Sequence, residues 1–405
     1  MGLSRRFVNL IVDSQTMCGA KSLRCIDLTR QQFFRPSPPP PATRGGSESA
    51  VAQDSTTLTP AALAMEQLQL PDSTLSFQAE AENHRWNIDC FHLADRKVLC
   101  ADQSGRAFLL DADMRHLVTT PSLHKPKRMP FSLFVPNTDV DAVHSSGGGS
   151  SGSLFVMERI PRPEAGSDMQ TSGQFEAFIY RKPTTTSFAE SWHCQLLPPP
   201  PYLRDYKYCK RRHKIAAYGV VGGGSQICLS VEDVGTYCLD TASHVWSEVG
   251  KWTLPFLGKV EYVPELKLWF GLSADAQHLA AADLSSLDSQ PQLLGPWKEL
   301  EPPKEWQEVQ EAQLVNLGSG RFCIARFFET RMGRAFETRM GTDFDELFTE
   351  DYFVVLTGVE FTASVQDGKC GGSSSGSRNG EVELEMNTHK SLCHMSNGTA
   401  ISAVF

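Results

Sequence analysis

An all-β fold of repeated four-stranded units is what the sequence predicts, on three observations. The first is the segment from Ala217 to Pro255. There Val220-Val221 and the glycines Gly222, Gly223 and Gly224 lead into an apolar strand, Ile227 to Val231, then a turn, then Thr236-Tyr237-Cys238-Leu239-Asp240 and Trp246. A glycine turn after an apolar run, then a strand ending in Asp with a Trp six residues on, is the pattern of one kelch-type propeller blade. The second is recurrence: Leu279-Ala280-Ala281-Ala282-Asp283 followed by Trp297 repeats that order, its Asp 43 residues after Asp240. A blade takes roughly 40 to 50 residues. The third is composition: 40% hydrophobic and 21% charged residues, arranged as short runs of Val, Ile, Leu and Phe bounded by Gly, Pro, Asp and Ser.

Each residue type has a local task in such a unit. Glycine takes the left-handed turn, the Asp carboxylate closes a turn on nearby backbone N–H groups, and the aromatic packs against the neighbouring sheet. One four-stranded sheet leaves a face bare, so other units must be present.

In chain order, Phe7 to Val12 reads as a strand with Ser22 to Thr29 as its hairpin partner, carrying Cys25-Ile26-Asp27 ahead of Phe33-Phe34. A second unit has Ala107-Phe108-Leu109-Leu110-Asp111 and then Leu117-Val118. Two more lack the Asp: Phe175 to Arg181 with Trp192, and Tyr352 to Phe361 with Val382 to Met386. With the two units named first, the prediction is a single propeller domain over residues 1–405. It has six four-stranded blades, five or seven being the open alternatives. Pairing of the N-terminal strand with the strand-like Ala400 to Phe405 closes it.

Between these units the sequence predicts disordered insertions at 35–59, 138–153 and 366–380, rich in Pro, Ser and Gly, and a variable loop at 328–348. That loop carries a perfect hexapeptide duplication, Phe328 to Gly333 and Phe336 to Gly341. The stretch Pro303 to Leu314 has the best helical pattern and is expected as a rim helix, with a shorter one from Pro60 to Gln67.

The formal net charge of −9 excludes nucleic-acid binding through the overall field. The basic clusters Lys125, Lys127, Arg128 and Lys207, Lys210, Arg211, Arg212, Lys214 read as solvated loops. Eleven cysteines are scattered without a CxxC pair, which points to free thiols in a reducing compartment. His193-Cys194 and Cys393-His394 are the adjacent His/Cys pairs, and neither supplies the spacing of a four-ligand metal site. No metal or cofactor is expected. Gly223-Gly224-Ser225-Gln226-Ile227 lacks the final glycine of a nucleophile elbow, and no P-loop or GxGxxG occurs. The apolar run after Arg5 and Arg6 is too short to span a membrane. A cytoplasmic or nuclear location follows, with an organellar leader as the other reading.

The stretches MGLSRRFVNLIVD, SLRCIDLTRQQFF, WNIDCFHLADRKVLCADQSG, SWHCQLLPPPP, VWSEVGKWTLPF, GKVEYVPELKLWFGLS and GTAISAVF resemble the grass proteins grouped as domain-of-unknown-function family 1668. These are related in pattern to plant kelch-type propellers. The resemblance implies the fold and no activity.

Two functions are compatible with this reading. One is a non-catalytic module that binds an unidentified protein partner, with no nucleic acid, membrane or metal. The other is a propeller-type enzyme acting on a small molecule or sugar, which needs titratable groups at the centre, whereas Val220-Val221, Val260 to Val263 and Phe322 to Ala325 are expected as apolar innermost strands. Candidate protein-binding residues, placed in inter-strand loops, are Trp86, Arg96, Lys97, Lys259, Tyr262 and Trp306, with Glu261 and Trp269 beside them. Trp246, Trp252, Trp269 and Trp297 are expected between blades.

Overall fold

The computed structural model describes residues 5–17, 19–34, 65–78, 87–94, 96–137, 152–164, 170–181, 191–208, 210–334, 347–365 and 382–405. Within them the chain is all β apart from short turns of 3-10 helix, and no helix is long and apolar enough to cross a membrane.

The strands group into antiparallel meanders. The first contains β1 (Phe7–Ser14), β2 (Ala20–Asp27) and, after the two-residue β3 (Glu66–Gln67), β4 (Ser73–Gln78). The second is β5 (Ile88–Ala94), β6 (Lys97–Asp102), β7 (Ala107–Asp111) and β8 (His116–Thr119). The third is β9 (Pro130–Pro136), β10 (Gly152–Glu158), β11 (Ser172–Arg181) and β12 (Ser191–Leu197). The fourth is β13 (Ile215–Val221), β14 (Gln226–Val231), β15 (Gly235–Asp240) and β16 (Trp246–Gly250). The fifth is β17 (Phe256–Val263), β18 (Leu268–Ser273), β19 (Leu279–Ala282) and β20 (Leu294–Trp297). The sixth is β21 (Trp306–Gly318), β22 (Arg321–Arg334), β23 (Leu347–Val365) and β24 (Val382–Met395), with β3 added parallel to β24. The last strand, β25 (Thr399–Val404), returns to the first unit and pairs antiparallel with β1, giving the order β25-β1-β2-β4.

The fourth and fifth units form one eight-stranded sheet because their first strands, β13 and β17, pair in parallel. That approach is close enough to dictate a residue. A Cβ on Gly219 would lie 2.7 Å from the Val260 carbonyl oxygen. A side chain there would push the two first strands apart, so glycine is required by contact rather than by its dihedral angles.

Apart from a cluster of Phe328, Phe353, Val355 and Cys393 in the sixth unit, the apolar core is divided into layers shared by two neighbouring units. Ile11 and Leu23 meet Val98 and Leu110 between units one and two. Phe91 and Leu99 meet Val156 and Phe178 between two and three. Phe155 and Phe175 meet Ile227 and Tyr237 between three and four, and Cys238 meets Phe256 and Trp269 between four and five. Phe270 meets Phe322 and Phe361 between five and six. A further layer joins the sixth unit to the first, through Val8, Leu10 and Ile401 against Val315, Ala325 and Leu356. Trp246, Trp252, Trp269 and Trp297 belong to these shared layers, as the sequence predicts.

The Asp signature has the expected physical basis. Asp27, Asp111 and Asp240 end the third strand across their sheets, and Asp283 directly follows one. Each carboxylate accepts backbone N–H bonds just beyond: Thr29 to Asp27 at 2.9 Å, Asp113 and Met114 to Asp111 at 3.1 Å, Ser243 to Asp240 at 2.7 Å, and Ser285 to Asp283 at 2.8 Å. The turn Gly222–Gly224 runs at φ of 59°, 65° and 104°, left-handed values that favour glycine.

Several expectations are corrected. Pro303 to Leu314 forms no helix: Trp306 starts β21, paired with β22, because Trp306 packs on Phe328 and Phe353 and Glu308 reaches Arg326. These tertiary contacts override a weak helical preference. Glu66 and Gln67 are strand, while Pro60 to Ala64 lie outside the described residues. The first hexapeptide copy, Phe328 to Gly333, is strand β22 with Phe328 buried, and the second lies outside the described residues. Residues 347 and 348, the end of the expected variable loop, begin β23. Gly152 and Ser153, expected in an insertion, begin β10. Insertions 35–59 and 366–380 fall outside the described residues, as does 138–151. Phe322 to Ala325 lie on β22, the second strand of their sheet, rather than on its first strand β21.

Candidate functional site

Polar side chains gather where first strands of different units approach one another. Glu311 on β21 of the sixth unit pairs with Arg159, which follows β10 of the third (Nη1 to Oε2, 2.7 Å), and with Lys214, which precedes β13 of the fourth. Burial pushes the Glu311 carboxyl up, and the Lys214 and Arg159 cations outweigh it, leaving the group below its usual range. Tyr218 on β13 stacks on Phe131 of β9 with ring centroids 4.1 Å apart, and its register partner on β17 is Lys259. Desolvation pushes its phenol up, with Arg159, Glu311 and Glu261 as the charges it senses. Lys259 in turn pairs with Glu261 at 2.8 Å. His92 on β5 is held far below its usual value by burial and by the positive charges of Arg5 and Lys259, so its ring is neutral. Arg159, Lys214 and Lys259 thus face Glu261 and Glu311, a positive balance in an acidic chain.

The residues named from sequence are scattered. Trp86 lies outside the described residues. Arg96 pairs with Asp113 at 3.4 Å and covers the Phe7 ring at 4.7 Å. Lys97, on β6, pairs with Asp111 at 3.5 Å. Lys259, Glu261 and Tyr262 are on strand β17 and Trp269 on β18, rather than in loops, because β17 is buried on both faces, Val260 entering the layer between units four and five and Val263 the one between five and six. Tyr262 is 40% exposed and its ring lies 4.4 Å from that of Trp269, whose Nε1 donates to the Val220 carbonyl at 2.9 Å. Trp306 is no loop residue either: it packs inside the sixth unit. The structure therefore brings Lys259 to Glu261 and, on the opposite face, Tyr262 to Trp269, and leaves Arg96, Lys97 and Trp306 elsewhere.

Sequence reasoning missed a second cluster, between the second and third units. Glu176 on β11 has a fully buried side chain that faces the connector Leu123 to Lys127. Its Oε1 accepts from the Lys127 ammonium, and its Oε2 accepts from the His124 backbone N–H (2.9 Å) and meets His124 Nδ1 (2.6 Å). The Cys194 thiol on β12 donates to the same oxygen at 3.1 Å. Burial pushes Glu176 up, and Lys127 and His124 outweigh it, leaving the carboxyl low; burial also pushes the Lys127 ammonium down and the Cys194 thiol up. The adjacent pair His193-Cys194 does not act together. Successive strand residues face opposite ways, and His193 instead reaches Ser191 Oγ at 3.1 Å. The signal for this cluster was a strand reading of Ser191 to Leu197, which separates His193 from Cys194.

Three other described thiols, those of Cys25, Cys323 and Cys393, are disfavoured as nucleophiles by burial. Burial pushes those of Cys25 and Cys393 up to about 11 and that of Cys323 up to about 12.

Comparison with known proteins gives three findings. The family described as "Protein of unknown function (DUF1668)" matches residues 5–394. Interleukin-27 subunit beta of Mus musculus is 27% identical over 205 residues, 49% of this chain and 77% of that protein. The β-propeller domain of Cps50 (Swd1) from Myceliophteria thermophila superposes with a TM-score of 0.30 at 12% identity, covering 65% of this chain and 66% of that one.

Proposed function

The chain belongs to the DUF1668 family of unknown function, and on that premise we propose that it is a non-catalytic protein-interaction module built as a six-bladed, kelch-like β-propeller. The six meanders are its blades. Parallel pairing of β13 with β17 supports a ring of first strands, and the β1–β25 pairing, with the core layer shared by the first and sixth units, supports closure.

The observation that carries the interaction role is Tyr262. An aromatic ring half in solvent, tilted against a buried Trp and mounted on a strand, has the chemistry of an interface anchor: large contact area with little rotamer freedom left to lose. Lys259 and Glu261, paired with each other, lie on the opposite face of β17, so Tyr262 carries this reading without them. The test is proximity labelling in cells with the wild type and Tyr262→Ala. The wild type is expected to label a defined set of proteins, and the variant to lose it while its unfolding free energy stays within about 0.5 kcal/mol of wild type. An unchanged set from the variant, or none from the wild type, rejects this reading.

A second reading, a propeller-type enzyme acting on a small molecule or sugar, is favoured by the titratable groups Arg159, Tyr218, Glu261 and Glu311 near the first strands. Saturable thermal stabilisation of the wild type by a sugar or sugar acid, without protein labelling, would select it.

A further inference from the structure

His124 Nδ1, Glu176 Oε2 and Cys194 Sγ form a triangle of donor atoms. Its edges are 2.6 Å from His to Glu, 3.1 Å from Cys to Glu and 3.9 Å from Cys to His. Around a tetrahedral zinc ion, bonds of about 2.0–2.2 Å to nitrogen and oxygen and about 2.3 Å to sulfur set donor pairs about 3.3–3.6 Å apart. The observed edges straddle that range, and the hydrogen bonds that now join the atoms occupy the space an ion would take. We propose that these three side chains bind one zinc-type divalent cation, with a water molecule in the fourth position.

Three features support the site beyond the triangle. Lys127 and the Lys125 backbone N–H both hold Glu176 Oε1, which fixes the carboxylate and leaves Oε2 as the ligating oxygen. The His124 side chain is 47% exposed, so ion and water can enter from solvent. The ligand types also suit a divalent ion: the Glu176 carboxylate and an ionised Cys194 thiolate are two anionic ligands beside one neutral imidazole. Binding breaks the S–H bond, forms the metal–sulfur bond and releases one proton to solvent. A Cys–His nucleophile is the weaker alternative, since the thiol donates to the carboxylate rather than to the imidazole. Sequence adjacency hid the ligand set, because the histidine lies 70 residues before the cysteine.

The experiment adds Co²⁺ alone to the full-length, chelator-treated protein and follows the sulfur-to-cobalt charge-transfer band. Wild type is expected to take up one equivalent with such a band, and Zn²⁺ to bleach it. Cys194→Ser should abolish the band, His124→Ala should weaken binding at least tenfold, and Cys393→Ser, in the sixth unit, should leave it unchanged. Affinity should rise with pH, as release of a thiol proton requires. Absence of the band in wild type, or its survival in Cys194→Ser, overturns the proposal. Circular dichroism of each variant separates loss of ligand from loss of fold.

Discussion

Truncating Trp269 to alanine is expected to cost about 3–5 kcal/mol of unfolding free energy, the range for a buried Trp replaced by Ala. The residue is 6% exposed in the layer between the fourth and fifth units, where it packs near Phe256, Val260 and Ala282. Its Nε1 also satisfies the Val220 carbonyl on β13, so the truncation opens a cavity and leaves a carbonyl unpaired at once. Trp269→Phe separates the two terms: it fills most of the volume, and its smaller cost measures mainly the lost hydrogen bond, about 1 kcal/mol. Urea denaturation of both variants checks this. A loss under about 1 kcal/mol for the alanine variant would mean that the two units do not depend on this layer.

Lys127→Met should be nearly as damaging, at about 3–5 kcal/mol, because it leaves the Glu176 carboxylate buried without its cation. Replacing both partners, Lys127→Met with Glu176→Leu, should recover most of the loss, since an apolar pair needs no compensation. The pH dependence has a defined sign. Glu176 is held below its usual value when folded, so its contribution is present above the unfolded carboxyl pKa of about 4.3 and fades as pH falls through the lower folded value. The penalty of Lys127→Met, measured as the difference from wild type, should therefore shrink as pH drops below about 5, once the unpaired carboxyl protonates. A penalty that grows toward acid would contradict the assigned pairing.

What was legible in the sequence is what depends on neighbours along the chain. The Asp at the end of a third strand shows because its carboxylate bonds N–H groups two or three residues on, and the glycine turn shows because left-handed dihedrals select glycine. Those signals located the units that carry them, and apolar strand runs located the two that lack the Asp. Pro303 to Leu314 misled because spacing alone carries no knowledge of Phe328, Phe353 and Arg326, which draw it into a long hairpin. Lys259 and Tyr262 were named from loops and are strand residues, because loop and strand are told apart by the neighbouring sheet and not by residue type. The Glu176 cluster was illegible for a stronger reason. Its members come from three segments that meet only when the connector folds onto β11 and β12, and the buried acid sits in a strand, Phe175 to Arg181, that otherwise looks apolar.

The pairing of β1 with β25 ties folding to the timing of synthesis. Asn9 and Phe405 exchange both backbone hydrogen bonds, at 2.9 and 3.0 Å, yet a ribosome adding about 5–20 residues per second places them tens of seconds apart. Throughout that interval Val8, Leu10, Ile11 and Val12, all buried in the finished protein, sit on a strand with one edge unclaimed. The nascent first sheet thus carries an open edge, of the kind that recruits wrong partners, until β25 is made and pairs with it.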